Sequence, residues 1–206
     1  MITVVIAGDK NFSAYITKAR DTTEALGYPT LIYDLGDLGF GQKFEGKVSN
    51  VPLHTIPCKP WLLLDSLDHV PADSYVVWLD GDALLQQRID EIEQDYDIGV
   101  TMRTKAAQDP RVSLINAGIV FVKNTPQARE FLTHWGNEAT QLDGDQWALN
   151  KLCELTMEDR DHTVTRLSAK IKNFPCQVYN NFYFKNDQSQ AKILHYKSKF
   201  RNKYPL

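Results

Sequence analysis

Ser74-Tyr75-Val76-Val77-Trp78-Leu79-Asp80-Gly81-Asp82 is a nearly continuous apolar run that stops on two carboxylates one residue apart. A run of this kind reads as a strand buried on both faces, the environment of a central strand in an α/β sheet. Such sheets take their ligands at the carboxyl ends of their strands, so Asp80 and Asp82 stand where a ligand is expected. Upstream, Ile2 to Ala7 is a second β-rich run, closed by Gly8-Asp9, and Asn11 to Leu26 carries apolar residues at helix spacing. Gly27-Tyr28-Pro29 breaks that helix and Thr30 to Tyr33 follows as a strand, which makes the opening a βαβ unit. Asp34 to Cys58 is rich in Gly, Pro and polar residues, with only a weak strand signal at Val51 to Ile56. Pro60 sits well in the first turn of a helix running through Trp61 and Leu67. Downstream, Ile98 to Thr101 and Ala117 to Val122 read as strands, with a polar loop from Thr104 to Arg111 between them. Thr125 to Ala139 and Asp145 to Leu155 read as amphipathic helices, the second capped by Asp143 or Asp145. The expected fold is a single-domain α/β, Rossmann-like unit over residues 1–206, with a central mixed, mostly parallel sheet flanked by helices.

The 206 residues are 43% hydrophobic and 24% charged, which suits a globular domain with a sizeable core and excludes disordered and fibrous classes. A net charge of -3 gives no general attraction to nucleic acid or anionic membranes. No apolar run approaches the roughly 20 residues of a membrane span, and Met1 to Ala7 lacks a basic leader, so the chain reads as cytoplasmic. Cys58, Cys153 and Cys176 are odd in number and far apart, which offers neither a disulfide framework nor a paired-cysteine metal site.

Four strings bear on chemistry. Asp80-Gly81-Asp82 can turn both carboxylates to a divalent cation such as Mg²⁺ or Mn²⁺, or can be a tight turn with solvated acids. Ala83-Leu84-Leu85 supplies none of the further ligands of a calcium loop. In Asn116-Ala117-Gly118 small residues allow close approach of a ligand to the backbone, unless Asn116 is an ordinary turn residue at a strand start. Asp143-Gly144-Asp145-Gln146 either caps a helix or presents a carboxylate and a carboxamide from a rigid helix end. After Asp187 the chain holds no acid, while Lys192, Lys197, Lys199, Arg201 and Lys203 supply five bases around His195. That tail is either a solvated terminus or a positive field for a small polyanion such as a diphosphate.

Taken in order, these strings resemble the glycosyltransferase A-type (GT-A) fold, and more narrowly the retaining transferases of the glycogenin and lipopolysaccharide galactosyltransferase kind. Val76 to Asp82 is similar to that family's DxD strand, Asn116-Ala117-Gly118 to its NAG turn, and Asp145-Gln146-Trp147-Ala148-Leu149-Asn150 to its DQ helix start. His195-Tyr196-Lys197-Ser198 stands where the family has a histidine ligand followed by a phosphate loop. Two segments depart from the pattern. Pro175 to Asn180 has one residue more between Pro and Tyr, and the tail has Ser198 and Arg201-Asn202-Lys203 where the family has Gly and then Lys-Pro-Trp.

The resemblance implies a metal-dependent transferase that moves a hexose from a nucleoside-diphosphate sugar, a UDP-sugar by preference, to a glycan or other hydroxyl acceptor, with retention. It implies Mn²⁺ or Mg²⁺ on Asp80, Asp82 and His195, and a nucleotide against Ala7, Gly8, Asp9 and Gly81. Lys59, Ala117 and Gly118 are placed within reach of the nucleotide-sugar, and Lys197, Ser198 and Arg201 close over the diphosphate. The resemblance implies Asp145 and Gln146 beneath the sugar with Asn116 on its hydroxyls, although Asp145 could also serve as the base of an inverting enzyme, so the stereochemistry stays open at this point. The nucleotide part spans about 1–103 and the sugar and acceptor part about 104–206. Two other readings remain open at this point: a haloacid dehalogenase-like phosphatase with Asp80 as nucleophile, and a non-catalytic sugar-nucleotide or glycan-binding domain.

Overall fold

A computed structural model of the chain describes residues 1–8, 12–35, 58–103, 113–142, 144–182 and 188–196. The elements run β1 (Ile2–Gly8), α1 (Ser13–Ala25), β2 (Thr30–Asp34), α2 (Cys58–Ser66), β3 (Tyr75–Asp80), β4 (Ala83–Leu85), β5 (Ile98–Met102) and β6 (Ile115–Lys123). They continue as α3 (Pro126–Leu142), α4 (Asp145–Cys153), β7 (Thr163–Arg166), β8 (Ala169–Pro175), α5 (Cys176–Tyr179), β9 (Asn181–Phe182) and β10 (Ile193–His195). Seven strands form the main sheet in the order β2-β1-β3-β6-β5-β8-β7, and β4-β10-β9 form a small second sheet. β2, β1 and β3 are parallel, as are β5 and β8, while β6 and β7 run against their neighbours. Five of the seven strands therefore point one way, and β1 and β3 end together, with Ala7 beside Asp80.

Period-two alternation along the buried strands divides the core into two layers. Val5 and Ala7 of β1 and Val76 and Trp78 of β3 face the layer filled by Leu62 and Leu63 of α2, Phe131 and Trp135 of α3, and Leu149 of α4. Val4 and Ile6, with Val77 and Leu79, face the layer of Ala19 from α1, Leu84 and Leu85 from β4, and Ile193 from β10.

Among the described residues the βαβ opening, the strands and the helices expected from the sequence are present, with ends shifted by a few residues, and the expected loop at 104–111 lies outside them. β4 and β10 are elements that the sequence does not announce. The expected strand at Val51 to Ile56 lies outside the described residues. The N-cap of α4 is Gly144, so Asp145 is the first helical residue and not the cap, and Asp143, the other expected cap, lies outside the described residues. All three cysteines are free. Among the described residues no helix is long and apolar enough to cross a membrane.

One irregularity shapes the site. β5 and β6 stay in register from Ile98 opposite Val122 to Val100 opposite Val120, but Thr101 then faces Asn116. Ala117, Gly118 and Ile119 are taken up in a bulge while β5 advances one residue. A bulge of this kind releases backbone groups from the ladder and re-aims side chains. The change shows in the packing, where Ile115 and Ala117 share a layer with Val120 and Val122.

Candidate active site

The carboxyl ends of β1 and β3 meet the bulge of β6 and the start of α4. Asp82 follows β3 directly, and the antiparallel pairing of β10 with β4 sets His195 opposite Ala83, beside Asp82. The amide of Tyr196 donates to the Asp82 carbonyl at 2.8 Å and secures this register. His195 Nε2 then lies 3.1 Å from Asp82 Oδ1 and 3.9 Å from Asp80 Oδ2. Each of the three side chains offers one ligand atom, and these atoms lie within 4.8 Å of one another. Two hard carboxylate oxygens and one imidazole nitrogen suit Mg²⁺ or Mn²⁺, and no thiolate competes.

Asp80 divides its two oxygens between two tasks. Oδ1 accepts from Lys59 Nζ at 2.9 Å and from Trp78 Nε1 at 2.9 Å, which leaves Oδ2 on the side of His195. Burial would raise the Asp80 carboxyl, but Lys59, His195 and these hydrogen bonds outweigh it and hold it below its ordinary 3.8. A carboxyl depressed on folding contributes stability in full above its unfolded value, and that contribution is lost as pH falls through the folded value. Thermal unfolding from pH 6 to pH 3 should show it: Asp80→Asn should be less stable than the parent at pH 6, and the gap should close toward pH 3. A gap independent of pH would show that the ion pair contributes nothing.

Lys59 is the hub of the arrangement. It lies in the first turn of α2, only 7% exposed, and Pro60 beside it needs no hydrogen-bond partner for its nitrogen. Its ammonium reaches Asp80 Oδ1, Asp145 Oδ2 at 2.8 Å and the Ala117 carbonyl at 2.7 Å. Burial pulls the ammonium down, yet Asp145 and Asp80 together hold it above its ordinary value. A lysine has three donors, and all three are engaged inside the protein. Lys59 thus ties the DxD strand, the β6 bulge and α4 together.

α4 presents the remaining groups. Asp145 Oδ1 accepts from the Gln146 amide at 2.7 Å, and the Asp145 carbonyl accepts from Trp135 Nε1 at 2.7 Å. A carboxylate in the first turn of a helix is also favoured by the helix dipole. Gln146 accepts from the Ala117 amide at 3.4 Å and donates to Ser113 Oγ at 3.3 Å. Asn150 fastens the helix to β6 by exchanging both its amide groups with the backbone of Ile115.

Residues 69–203 match the family model described as nucleotide-diphospho-sugar transferase. The chain belongs to the nucleotide-diphospho-sugar transferase family. No curated protein sequence matches it. Among solved structures, a glycosyltransferase involved in glycosylation of the major capsid of PBCV-1 superposes with a TM-score of 0.62 at 12% identity, over 98% of this chain and 96% of that one. The bifunctional glycosyltransferase WbbM gives 0.59 at 10% identity over 96% of this chain and 46% of its own. GlyE of Streptococcus pneumoniae TIGR4 gives 0.55 at 16% identity, over 96% and 54%. The chain thus spans about half the length of the last two, and these likenesses show the GT-A-like fold.

The transferase is an enzyme that takes a glycosyl group from a nucleotide-sugar, and the phosphatase and simple binding-domain readings fall with the family match. Of the residues expected from the sequence, Asp80, Gly81, Asp82, Asn116, Ala117, Gly118, Asp145, Gln146, Lys59 and His195 converge on this one end of the transferase's sheet. Ala7 and Gly8 lie beside them at the end of β1, and Gly81 has no room for a side chain because a Cβ there would sit 2.9 Å from the Ala7 carbonyl. Asp9, Lys197, Ser198 and Arg201 lie outside the described residues. Lys192 pairs with Glu91. Trp147, which follows Gln146 in α4, is 47% exposed.

Three residues of the site carried no role in the sequence reading. Asn180 touches the His195 ring, and Thr101 and Ser113 support Asn180 and Gln146. The one signal for Asn180 is the Pro175 to Asn180 string, whose spacing departs from the family pattern.

Proposed function

We propose that the protein transfers a hexose from a UDP-sugar to a hydroxyl of a glycan or small acceptor, with retention, using Mn²⁺ or Mg²⁺ held by Asp80, Asp82 and His195. The observation that carries the reading is the meeting of these three side chains, from distant parts of the chain, at one end of the sheet. When bound, the cation supplies positive charge for the departing diphosphate. Asp80 and Asp82 orient that charge, and the small residues Ala7, Gly8 and Gly81 leave room for the nucleotide. The division at about residue 103 follows, with the nucleotide held by 1–103 and the sugar and acceptor by 104–206. Lys197, Ser198 and Arg201 are assigned to the diphosphate, and three free cysteines fit a cytoplasmic setting.

Asn116 is assigned to the sugar's hydroxyls; its Nδ2 is buried and has no hydrogen-bond partner among the described residues. Both Asp145 oxygens already accept hydrogen bonds, from Lys59 and the Gln146 amide. We assign this carboxylate to the positive charge that develops at the anomeric carbon, the role it would hold in a retaining transfer.

The test is a thermal-shift series with UDP and UDP-sugars, each with and without Mn²⁺, followed by slow release of UDP from the stabilising donor. Stabilisation by nucleotides other than UDP alone would overturn the choice of base. Asp82→Asn should leave the fold intact and weaken Mn²⁺-dependent UDP binding about tenfold or more, since one of three cation ligands is lost. Equal affinity in parent and variant would remove Asp82 from the site.

The Gln146 side chain makes only long hydrogen bonds, at 3.4 Å to the Ala117 amide and 3.3 Å to Ser113 Oγ, so its removal should cost little stability. Gln146→Ala should lower kcat and kcat/KM together by about tenfold or more while UDP affinity stays at the parent's value. Unchanged donor hydrolysis would return Gln146 to a purely local contact with Ala117 and Ser113.

A further inference from the structure

The amide of Asn180 has one orientation compatible with its neighbours, and that orientation can be read from an unambiguous donor. An amide's oxygen and nitrogen are alike in shape, so only their partners tell them apart. The backbone N–H of Gly118 can only donate, and it meets an Asn116 side-chain atom at 2.9 Å, which must be Oδ1. The same Oδ1 lies 3.0 Å from the Asn180 amide, so the atom facing it must be the donor Nδ2. Thr101 donates its hydroxyl hydrogen to the Asn116 carbonyl at 3.2 Å, and its Oγ1 accepts the other Nδ2 hydrogen at 2.7 Å. Asn180 therefore turns Oδ1 toward His195 Nδ1, 2.8 Å away.

A carboxamide oxygen accepts only, so Nδ1 must carry a hydrogen. Nε2 is then the nitrogen whose lone pair is available on the side of Asp80 and Asp82. Thr101, Asn116 and Asn180 are fully buried and His195 is 2% exposed, so water does not compete for these bonds. Without Asn180 the ring would be free to place its hydrogen on Nε2, where Asp82 Oδ1 at 3.1 Å is the stronger acceptor. That hydrogen would occupy the lone pair a cation needs.

We infer that Asn180 is a positioning residue that holds His195 with its hydrogen on Nδ1, so that Nε2 faces the two aspartates as a ready ligand. The direction of the whole chain is set by the Gly118 amide, which the β6 bulge has released from the ladder. This inference rests on the reading of Asp80, Asp82 and His195 as the cation site, and its test separates the two.

The parent protein, labelled with ¹⁵N, should show a hydrogen on His195 Nδ1 in long-range ¹H–¹⁵N spectra, without metal and with Mg²⁺, at a pH where the ring is neutral. Asn180→Leu should move that hydrogen toward Nε2 and weaken Mn²⁺ binding, titrated alone and with UDP, by about 10-fold to 100-fold. Asn180→Asp keeps an acceptor toward Nδ1 but sets a carboxylate against Asn116 Oδ1. It should retain most of the parent's Mn²⁺ affinity while melting at a lower temperature. A merely structural Asn180 would make both variants lose affinity in step with stability, which would overturn the assignment. A parent with no hydrogen on Nδ1 would do the same without any variant being made. A parent that binds no Mn²⁺ would overturn the cation site itself and with it the task given to Asn180.

Discussion

Lys59→Met is expected to lower the unfolding free energy by about 3 kcal/mol, toward the low end of what stranding one member of a buried ion pair costs. The low end applies because the Asp80 and Asp145 side chains keep 33% and 20% exposure, so solvent partly screens the charges left behind. Methionine matches the stem of lysine in length and packs against Trp78, over which the ammonium now lies at 5.5 Å from the ring centroid. The loss would therefore report on charge and not on a cavity. Urea unfolding of the parent, Lys59→Met and Lys59→Met with Asp145→Asn measures it. The double variant should recover part of the loss, since one stranded carboxylate is gone. A single variant within about 1 kcal/mol of the parent would rank the pairing with exposed surface pairs, and would disprove the hub assignment. Donor turnover should fall with stability, because α4 loses its tie to the DxD strand.

Gly118→Ala should abolish Mn²⁺-dependent binding of UDP while costing about 1–3 kcal/mol of stability. A Cβ at this position would lie 2.2 Å from His195 Cε1, 2.8 Å from its Nδ1 and 2.9 Å from Asn116 Oδ1. The ring cannot turn aside cheaply, being held between Asn180 and Asp82. Either His195 leaves its place or β6 retreats, and both separate Nε2 from the aspartates. Gly118 is thus needed for the space of the imidazole itself, in addition to any approach of a ligand to the backbone. Titration of Mn²⁺ with UDP checks this, and a variant that binds as the parent does would show that the ring has another way to fit.

The main sheet could be read from the sequence because its central strands are apolar throughout, and burial on both faces leaves that mark. Asp80 and Asp82 were legible for the same reason, since the acids end such a strand. Other parts leave no local trace. β4 and β10 are three residues each, too short for a periodic pattern, and only pairing with distant segments, β4 with β10 and β10 also with β9, makes them strands. A bulge is a mismatch between two strands, so nothing within Asn116-Ala117-Gly118 announces it. The burial of Lys59 depends on two carboxylates far along the chain, and its neighbours look like any helix start. His195 was reached through resemblance to a family and not through spacing, and Asn180 went without a role because its partners lie on three separate strands.

The pairing of β10 with β4 carries a consequence for time as well as for space. His195 and Asp82 are 113 residues apart along the chain, and closing so long a loop is paid in chain entropy before any contact forms. The neighbouring β1-α1-β2 segment needs only local closure and can assemble early. The pocket of Asp80, Asp82 and His195 is therefore expected to form late in folding, when the backbone around it is already largely native. Capture of the nucleotide is then a reporter of the finished molecule, and a partly folded chain with its first strands in place has nothing to offer a donor.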